Sequence, residues 1–458
     1  MTAAADTGSI STLLILGASG DLTSRLLLPA LGQLLTLQPQ RRVRLIGVGA
    51  EELADDAWSS RVRASFATVP ASGPAVDAVL STATYRRADV TDVGALRSLI
   101  ASCHGRPAIY FALPPAVTAR TCVALEEVDL PEGTVLALEK PFGVDEAGAT
   151  ALNAQLAKLV PEDRIHRVDH FLGRSTVFNL LGVRFANRIF EPLWNAEHVA
   201  KVEIVYDEQL GLEGRAGYYD HAGALVDMIQ SHLLQVLAVL AMEPPATLSA
   251  ADLRDAKGLV LRATRVKGGD AVASSRRARY TAGTVDGRAY PSYVDEPGVD
   301  PANETETLAE LTLEVDTWRW AGVPFHLRSG KAIGTRRREI VVTFKAANQV
   351  PRGFSGHAEA TVLRLMLAPD EMSLELNING PGDPRHLERA TLEAGFGPGE
   401  LLAYGEVLEG ILDDDPSLSV RGDTAEQCWR IVEPVLTAWR DNRVPLDEYP
   451  AGSDGPRR

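Results

Sequence analysis

A short apolar run, Leu13 to Leu16, leads directly into a glycine-rich turn, a helical pattern from Arg25 to Leu37 and a second apolar run from Val43 to Val48. This order and spacing predict a strand, a helix and a second, parallel strand. Further apolar runs at Ala108 to Leu113 and Thr134 to Leu138, separated by helical stretches, continue the alternation. Residues 1–165 are therefore expected to form a Rossmann-like, doubly wound α/β domain that binds a dinucleotide. Beyond them the rhythm changes to longer helices and alternating runs such as Lys201 to Tyr206, Glu339 to Lys345 and Met372 to Asn379. Residues 166–458 are expected to form an α+β domain with a large, mainly antiparallel sheet. The stretch Lys267 to Asn303, rich in Gly, Pro, Ser and charge, predicts a long excursion, and the tail Pro450 to Arg458 predicts disorder.

Charge and cysteine content narrow the partners. A formal net charge of −15 disfavours a phosphate-backbone partner, which calls for a basic surface. An anionic substrate would need a local basic pocket. Three widely spaced cysteines, Cys103, Cys122 and Cys428, give neither a disulfide framework nor a metal-site pattern. No apolar run reaches the ~18 to 20 residues of a spanning helix, and the N-terminus lacks the basic region of a signal peptide. A cytoplasmic protein with no metal, nucleic-acid or membrane partner is the expectation.

Gly17-Ala18-Ser19-Gly20-Asp21-Leu22 follows a predicted strand and opens a helix. Glycines there let the backbone approach a pyrophosphate at the helix N-terminus, although the spacing also suits a tight turn without ligand. After the second strand, Ala50, Glu51 and Glu52 occupy the stretch that selects between NAD and NADP. Two acids there repel a 2′-phosphate, or they favour the start of the next helix. Arg167-Val168-Asp169-His170-Phe171-Leu172-Gly173-Arg174 packs an acid, an imidazole and two cations into eight residues. In Gly223 to Met242, His232 lies within an apolar helical stripe of Leu225, Met228, Ile229, Leu233, Val236, Leu237 and Leu240. An imidazole so placed is more often a core residue than a catalyst.

Taken together, several motifs resemble those of the glucose-6-phosphate dehydrogenase family. They are the glycine turn, Glu139-Lys140-Pro141-Phe142-Gly143, the segment from Arg167 to Gly173, Arg215-Ala216-Gly217-Tyr218-Tyr219-Asp220 and Asp227 to Gln235. Trp320 to Phe325, Arg328-Ser329-Gly330-Lys331 and Cys428 to Val432 extend the resemblance over nearly the whole chain. It implies oxidation of glucose 6-phosphate at C1 to 6-phosphoglucono-1,5-lactone with hydride transfer to NAD(P), the first step of the oxidative pentose phosphate pathway. A different sugar, or a catalytically silent ligand-binding paralogue, is the alternative.

By the same resemblance, His232 is the base that takes the C1 hydroxyl proton, and Asp169 orients it. His170 and Arg174 bind phosphate. Lys140 serves substrate and cofactor, Glu208 and Asp227 accept from sugar hydroxyls, and Lys331 and Arg336 add positive charge. Gly17, Ala18, Ser19, Gly20, Asp21, Leu22, Ala50 and Glu51 form the cofactor set, with a homodimer or homotetramer built through the C-terminal sheet. The chain departs from the family at Phe171 and Arg174, where Tyr and Lys are usual, and at Ser231, where Asn is usual. Ala50 replaces the Arg of NADP-preferring members, which favours NAD or dual use.

Overall fold

The computed structural model describes residues 10–173, 175–367, 369–397 and 399–456. The chain forms two compact units, Met1–Arg174 with Pro245–Asp255 and Gly399–Glu426, and Ser175–Pro244 with Ala256–Pro398 and Gln427–Arg458. Whereas the sequence pattern divides the chain once, after residue 165, the fold returns two later segments to the first unit.

The first unit is built on β1 (Thr12–Leu16), β2 (Arg44–Gly49), β3 (Thr84–Arg87), β4 (Pro107–Phe111), β5 (Val135–Leu138) and β6 (Ile165–Val168). These strands are parallel and lie in the order β6-β5-β4-β1-β2-β3, with a short antiparallel strand, Ser419–Val420, beside β6. Every residue of β1, β4 and β5 is buried. Burial on both faces is why these strands stand out in the sequence as unbroken apolar runs. Leu31, Leu34, Trp58 and Val62 pack on Leu13 and Ile15, joined by Leu408 and Ile411 of the helix Ala403–Asp413. Chain direction across the sheet reverses between β1 and β4, so the ligand crevice of such a fold lies at their carboxyl ends.

One buried group in this unit makes stability depend on pH. His166 in β6 is 1% exposed, and its Nδ1 lies 3.2 Å from the Ser419 hydroxyl. Burial, aided by the Arg254 charge, pulls its pKa down to about 3. Between about 6.5 and 3 the unfolded chain binds a proton that the native imidazole refuses, so stability falls as pH drops through this window. Replacing His166 by Asn is expected to reduce the slope of unfolding free energy against pH by about one proton between pH 6 and 4. Denaturant melts across that range measure it.

The second unit holds β7 (Val199–Asp207), β8 (Thr264–Val266), β9 (Ser275–Thr281), β10 (Gly283–Val285), β11 (Arg288–Tyr290), β12 (Leu308–Val315), β13 (Phe325–Gly330), β14 (Arg338–Phe344), β15 (Ser355–Gly356), β16 (Val362–Leu367), β17 (Asp370–Asn379) and β18 (His386–Gly395). The large sheet runs β15-β18-β17-β16-β14-β7-β13-β12-β9 and ends on the strand Leu446–Pro450, while β8 pairs with β12. It is mainly antiparallel; β13 with β7, β15 with β18 and the last strand with β9 are the parallel pairs.

Two expectations from the sequence need correction. Lys267–Asn303 first contributes β9 to the large sheet and only then departs from it, into the separate two-stranded sheet of β10 and β11. The described part of the tail is fixed: Ala451 is buried, Gly334 N–H donates to the Ser453 carbonyl at 2.9 Å and the Arg328 guanidinium to that of Asp454 at 2.8 Å. The helical run Ala216–Ala241 has the length and apolar composition of a membrane span, but it is almost wholly buried inside the fold. Burial of this extent identifies a core helix.

Candidate active site

In the first unit the predicted residues gather at the carboxyl ends of the strands. Gly17 follows β1 with φ +88°, and its N–H and that of Ala18 both donate to the Val48 carbonyl at 2.8 Å. A Cβ at Gly17 would overlap the Ala112 carbonyl oxygen, so only glycine fits this turn. Gly20 N–H closes the turn on the Gly17 carbonyl at 3.0 Å, and helix begins at Asp21. Ala18 is buried and Leu22 packs against the core, whereas Gly20 and Asp21 are exposed. Asp21 pairs with Arg25 at 3.0 Å. A bare glycine beside a helix start at the sheet reversal fits the pyrophosphate of a dinucleotide.

Ala50, Glu51 and Glu52 are exposed after β2. The fold adds two cations here that the local sequence does not reveal. Arg87, ending the neighbouring β3, lies 3.3 Å from Glu52, and Arg61 donates to the Ser19 carbonyl at 2.8 Å. Tyr85 is buried beneath them, its hydroxyl donating to the Glu51 carbonyl at 3.2 Å.

Lys140 is half-buried two residues beyond β5. Its neighbour Glu139 accepts from the Tyr110 hydroxyl at 2.5 Å; burial lifts this carboxyl above its usual range against the Tyr110 bond and the Lys140 charge. Asp169, 1% exposed at the end of β6, accepts from the Phe171 N–H at 2.9 Å. That bond closes a tight turn which presents His170, stacked on Tyr404 with centroids 5.4 Å apart. Phe171 is buried with its ring 5.1 Å from that of His170. Arg174 lies outside the described residues. Arg167 is fully buried, held by Glu162 at 2.8 Å and Asn153 at 2.7 Å. Its role is to tie the strand into this unit, which explains a cation that carries no clear chemistry in the motif.

In the second unit, His232 and Asp227 share the π-helical segment Leu225–Leu233 and are 1% and 9% exposed. Bonding from i to i+5 places residues five apart next to each other along the axis, as His232 and Asp227 are. The Ser231 hydroxyl donates to the Val226 carbonyl, also five residues back, at 2.8 Å. Glu208 follows β7 and Lys331 follows β13; because these strands are parallel with Gly330 opposite Asp207, the two side chains meet at 2.7 Å. The Lys331 ammonium also lies 5.0 Å over the Tyr219 ring, and burial, aided by the Asp227 charge, raises the pKa of that phenol.

Arg336 is exposed, and Arg338, at the start of β14 beside β7, is the member of the basic run that lies 3.7 Å from Glu208. The sequence also did not single out Tyr404 or Tyr219. Tyr219 stood in the quoted Arg215 to Asp220 segment, whose other aromatic and acidic residues give no hint which one meets Lys331.

Two family models cover the chain: "Glucose-6-phosphate dehydrogenase, NAD binding domain" matches residues 14–179, and "Glucose-6-phosphate dehydrogenase, C-terminal domain" matches residues 181–458. A glucose-6-phosphate 1-dehydrogenase from Gluconobacter oxydans is 40% identical over 97% of this chain and 94% of its own length. One from Mycolicibacterium smegmatis is 37% identical over 96% and 93%. Among solved structures, glucose-6-phosphate 1-dehydrogenase from Mycobacterium avium superposes with a TM-score of 0.86 at 33% identity, covering 98% of this chain and 95% of that one. A glucose-6-phosphate dehydrogenase in complex with its substrate glucose-6-phosphate gives 0.85 at 29% identity, covering 99% and 97%. Family models and relatives alike span both units, and this chain belongs to the glucose-6-phosphate dehydrogenase family.

Proposed function

We propose that the protein oxidises glucose 6-phosphate at C1 to 6-phosphoglucono-1,5-lactone, with His232 as the base. The observation that carries this reading is the burial of His232 beside Asp227 in one π-helical segment of a chain matched by the family over both units. A neutral imidazole has a pKa suited to taking the C1 hydroxyl proton near neutral pH. Asp169 serves as the acid that fixes its tautomer and favours the imidazolium as it forms. Glu208 and Asp227 accept from sugar hydroxyls, while Lys331 and Arg338 offset the negative charge of these acids and of the phosphate. Arg336 remains a candidate for the phosphate end. His170 and Arg174 bind phosphate, and Lys140 lies between substrate and cofactor functions. Phe171 supplies no hydroxyl, which removes one neutral hydrogen bond and leaves the stronger charge-assisted ones.

The nicotinamide cofactor, when bound, supplies the hydride acceptor. Gly17, Ala18, Ser19, Gly20, Asp21 and Leu22 would hold its pyrophosphate, and Ala50, Glu51 and Lys140 complete the set. Dual use of NAD and NADP is the reading best supported by this corner. Glu51 and Glu52 disfavour a 2′-phosphate, but Arg61 and Arg87 bring two guanidiniums to the same place. Ala50→Arg is expected to raise the ratio of kcat/KM with NADP to that with NAD; an unchanged ratio puts the selectivity elsewhere. A cytoplasmic homodimer or homotetramer completes the proposal. Its support is the hairpin β17–β18, which leaves Ile378 and Leu392 exposed on long strands.

Initial rates with NAD and NADP on glucose 6-phosphate, galactose 6-phosphate and glucose test the reading. The highest kcat/KM is expected on glucose 6-phosphate. A marked preference for another sugar, or no turnover of any, contradicts it.

A further inference from the structure

The helical run that carries His232 is broken near its start. Gly223 takes φ 64° and ψ 179°, and the segment from Ala224 onward begins afresh after this kink. A side chain at Gly223 would overlap the carboxylate of Glu306, which fills the notch the glycine leaves. Glu306 engages the first two donors of the new segment. Its Oε1 accepts from Leu225 N–H at 2.9 Å, and its backbone carbonyl accepts from Ala224 N–H at 3.2 Å. Acidic groups are favoured at this positive helix end. Burial drives this carboxyl up to about 7, so the fold tolerates a desolvation penalty to keep it there.

Glu306 is also tied, through its chain neighbours, to the strand that precedes Lys331. The next residue, Thr307, accepts at its carbonyl from Lys331 N–H at 2.9 Å, and β12, which begins at Leu308, pairs with β13 with Leu308 opposite Gly330. Two consecutive residues thus hold the start of the His232 segment and the strand end that carries Lys331. We propose that Glu306 is a positioning residue for the reaction: seated against Gly223, it fixes the π-helical segment so that Asp227 and His232 keep one setting relative to Lys331. Glu306 acts through these groups and does not touch substrate. This inference rests on the assignment of His232 as the base.

Two conservative variants of the full-length chain separate positioning from charge. Glu306→Gln keeps an acceptor oxygen where Oε1 stands and cannot ionise; Glu306→Asp keeps an ionisable carboxyl and withdraws the acceptor by one methylene. Amide hydrogen exchange of residues 224–233 is followed by mass spectrometry, and kcat and KM are measured for glucose 6-phosphate and NAD. In Glu306→Asp, exchange of that segment is expected to rise and kcat to fall by about tenfold or more, with KM for NAD within about twofold. In Glu306→Gln both quantities are expected to stay within about threefold of the parent. Equal impairment of the two variants, equal indifference, or a Gln variant worse than the Asp variant overturns the proposal. Should the parent fail to turn over glucose 6-phosphate, the assignment of function fails, while hydrogen exchange still decides the positioning role.

Discussion

Replacement of His232 by Asn is expected to lower kcat on glucose 6-phosphate by about 10²- to 10⁴-fold, the usual range for loss of a general base. Asn has similar polarity and can hydrogen-bond, but its amide nitrogen is not basic near neutral pH, so the C1 hydroxyl proton has no acceptor. KM for glucose 6-phosphate should change far less, because the charge and hydrogen-bonding groups assigned to binding, including Lys331 and Glu208 at 2.7 Å from each other, are untouched. The imidazole is 1% exposed, so a modest fall in thermal stability is expected from imperfect filling of its space. Steady-state kinetics with a parallel thermal melt separate the two effects. A folded Asn variant with unimpaired kcat removes His232 from the chemistry.

Gly17→Ala is expected to damage the cofactor end. The backbone there has φ +88°, which costs an L-residue of this kind about 1–3 kcal/mol. The added methyl also meets the Ala112 carbonyl oxygen and lies 3.1 Å from the Leu113 side chain. Ala112 cannot easily yield, since its N–H donates to the Leu16 carbonyl at 2.9 Å in the ladder between β1 and β4. Overpacking of this type adds a further ~1–3 kcal/mol. A lower melting temperature and a rise of about tenfold or more in KM for NAD and NADP are expected, with a smaller change in KM for glucose 6-phosphate. Gly20→Ala provides the comparison: its nearest neighbour would be the Gly17 carbonyl oxygen at 3.2 Å, so the effect should be milder. Unaltered nucleotide binding by Gly17→Ala would refute the reading of this turn.

The parallel sheet was legible because β1, β4 and β5 are buried on both faces, which leaves an unbroken apolar signature. β9 was not, because its sequence, Ser275-Arg276-Arg277-Ala278-Arg279-Tyr280-Thr281, carries three arginines. Their partners come from far along the chain: Asp447 holds Arg276 at 2.9 Å, and Asn442 with the Val444 carbonyl holds Arg277. A local window contains none of these groups. The order of the C-terminal tail is illegible for the same reason, since its Gly and Ser look unstructured in isolation while Gly334 and Arg328, far back in the chain, bind it.

At the site, residue identity was easier to extract than register. Asp169 stands in a segment dense in chemistry, whereas His232 stands in an apolar stripe and is singled out only by the family resemblance; the basic run from Arg336 to Arg338 does not say which guanidinium faces Glu208. The start of β14 beside β7 decides that, in favour of Arg338. Arg87 was hidden because its approach to Glu52 depends on β3 pairing with β2. The apolar stripe marked the helix around His232, but an α-helical period cannot show that the segment is π-helical, nor that Asp227 thereby becomes its neighbour along the axis.

The most direct test of the central claim uses glucose 6-phosphate carrying deuterium at C1, incubated with the protein and NAD and analysed by NMR. The expected result is deuterium on the reduced nicotinamide ring, in amount equal to the 6-phosphoglucono-1,5-lactone formed and its hydrolysis product; reduced cofactor without the label, or no reduction at all, would contradict it.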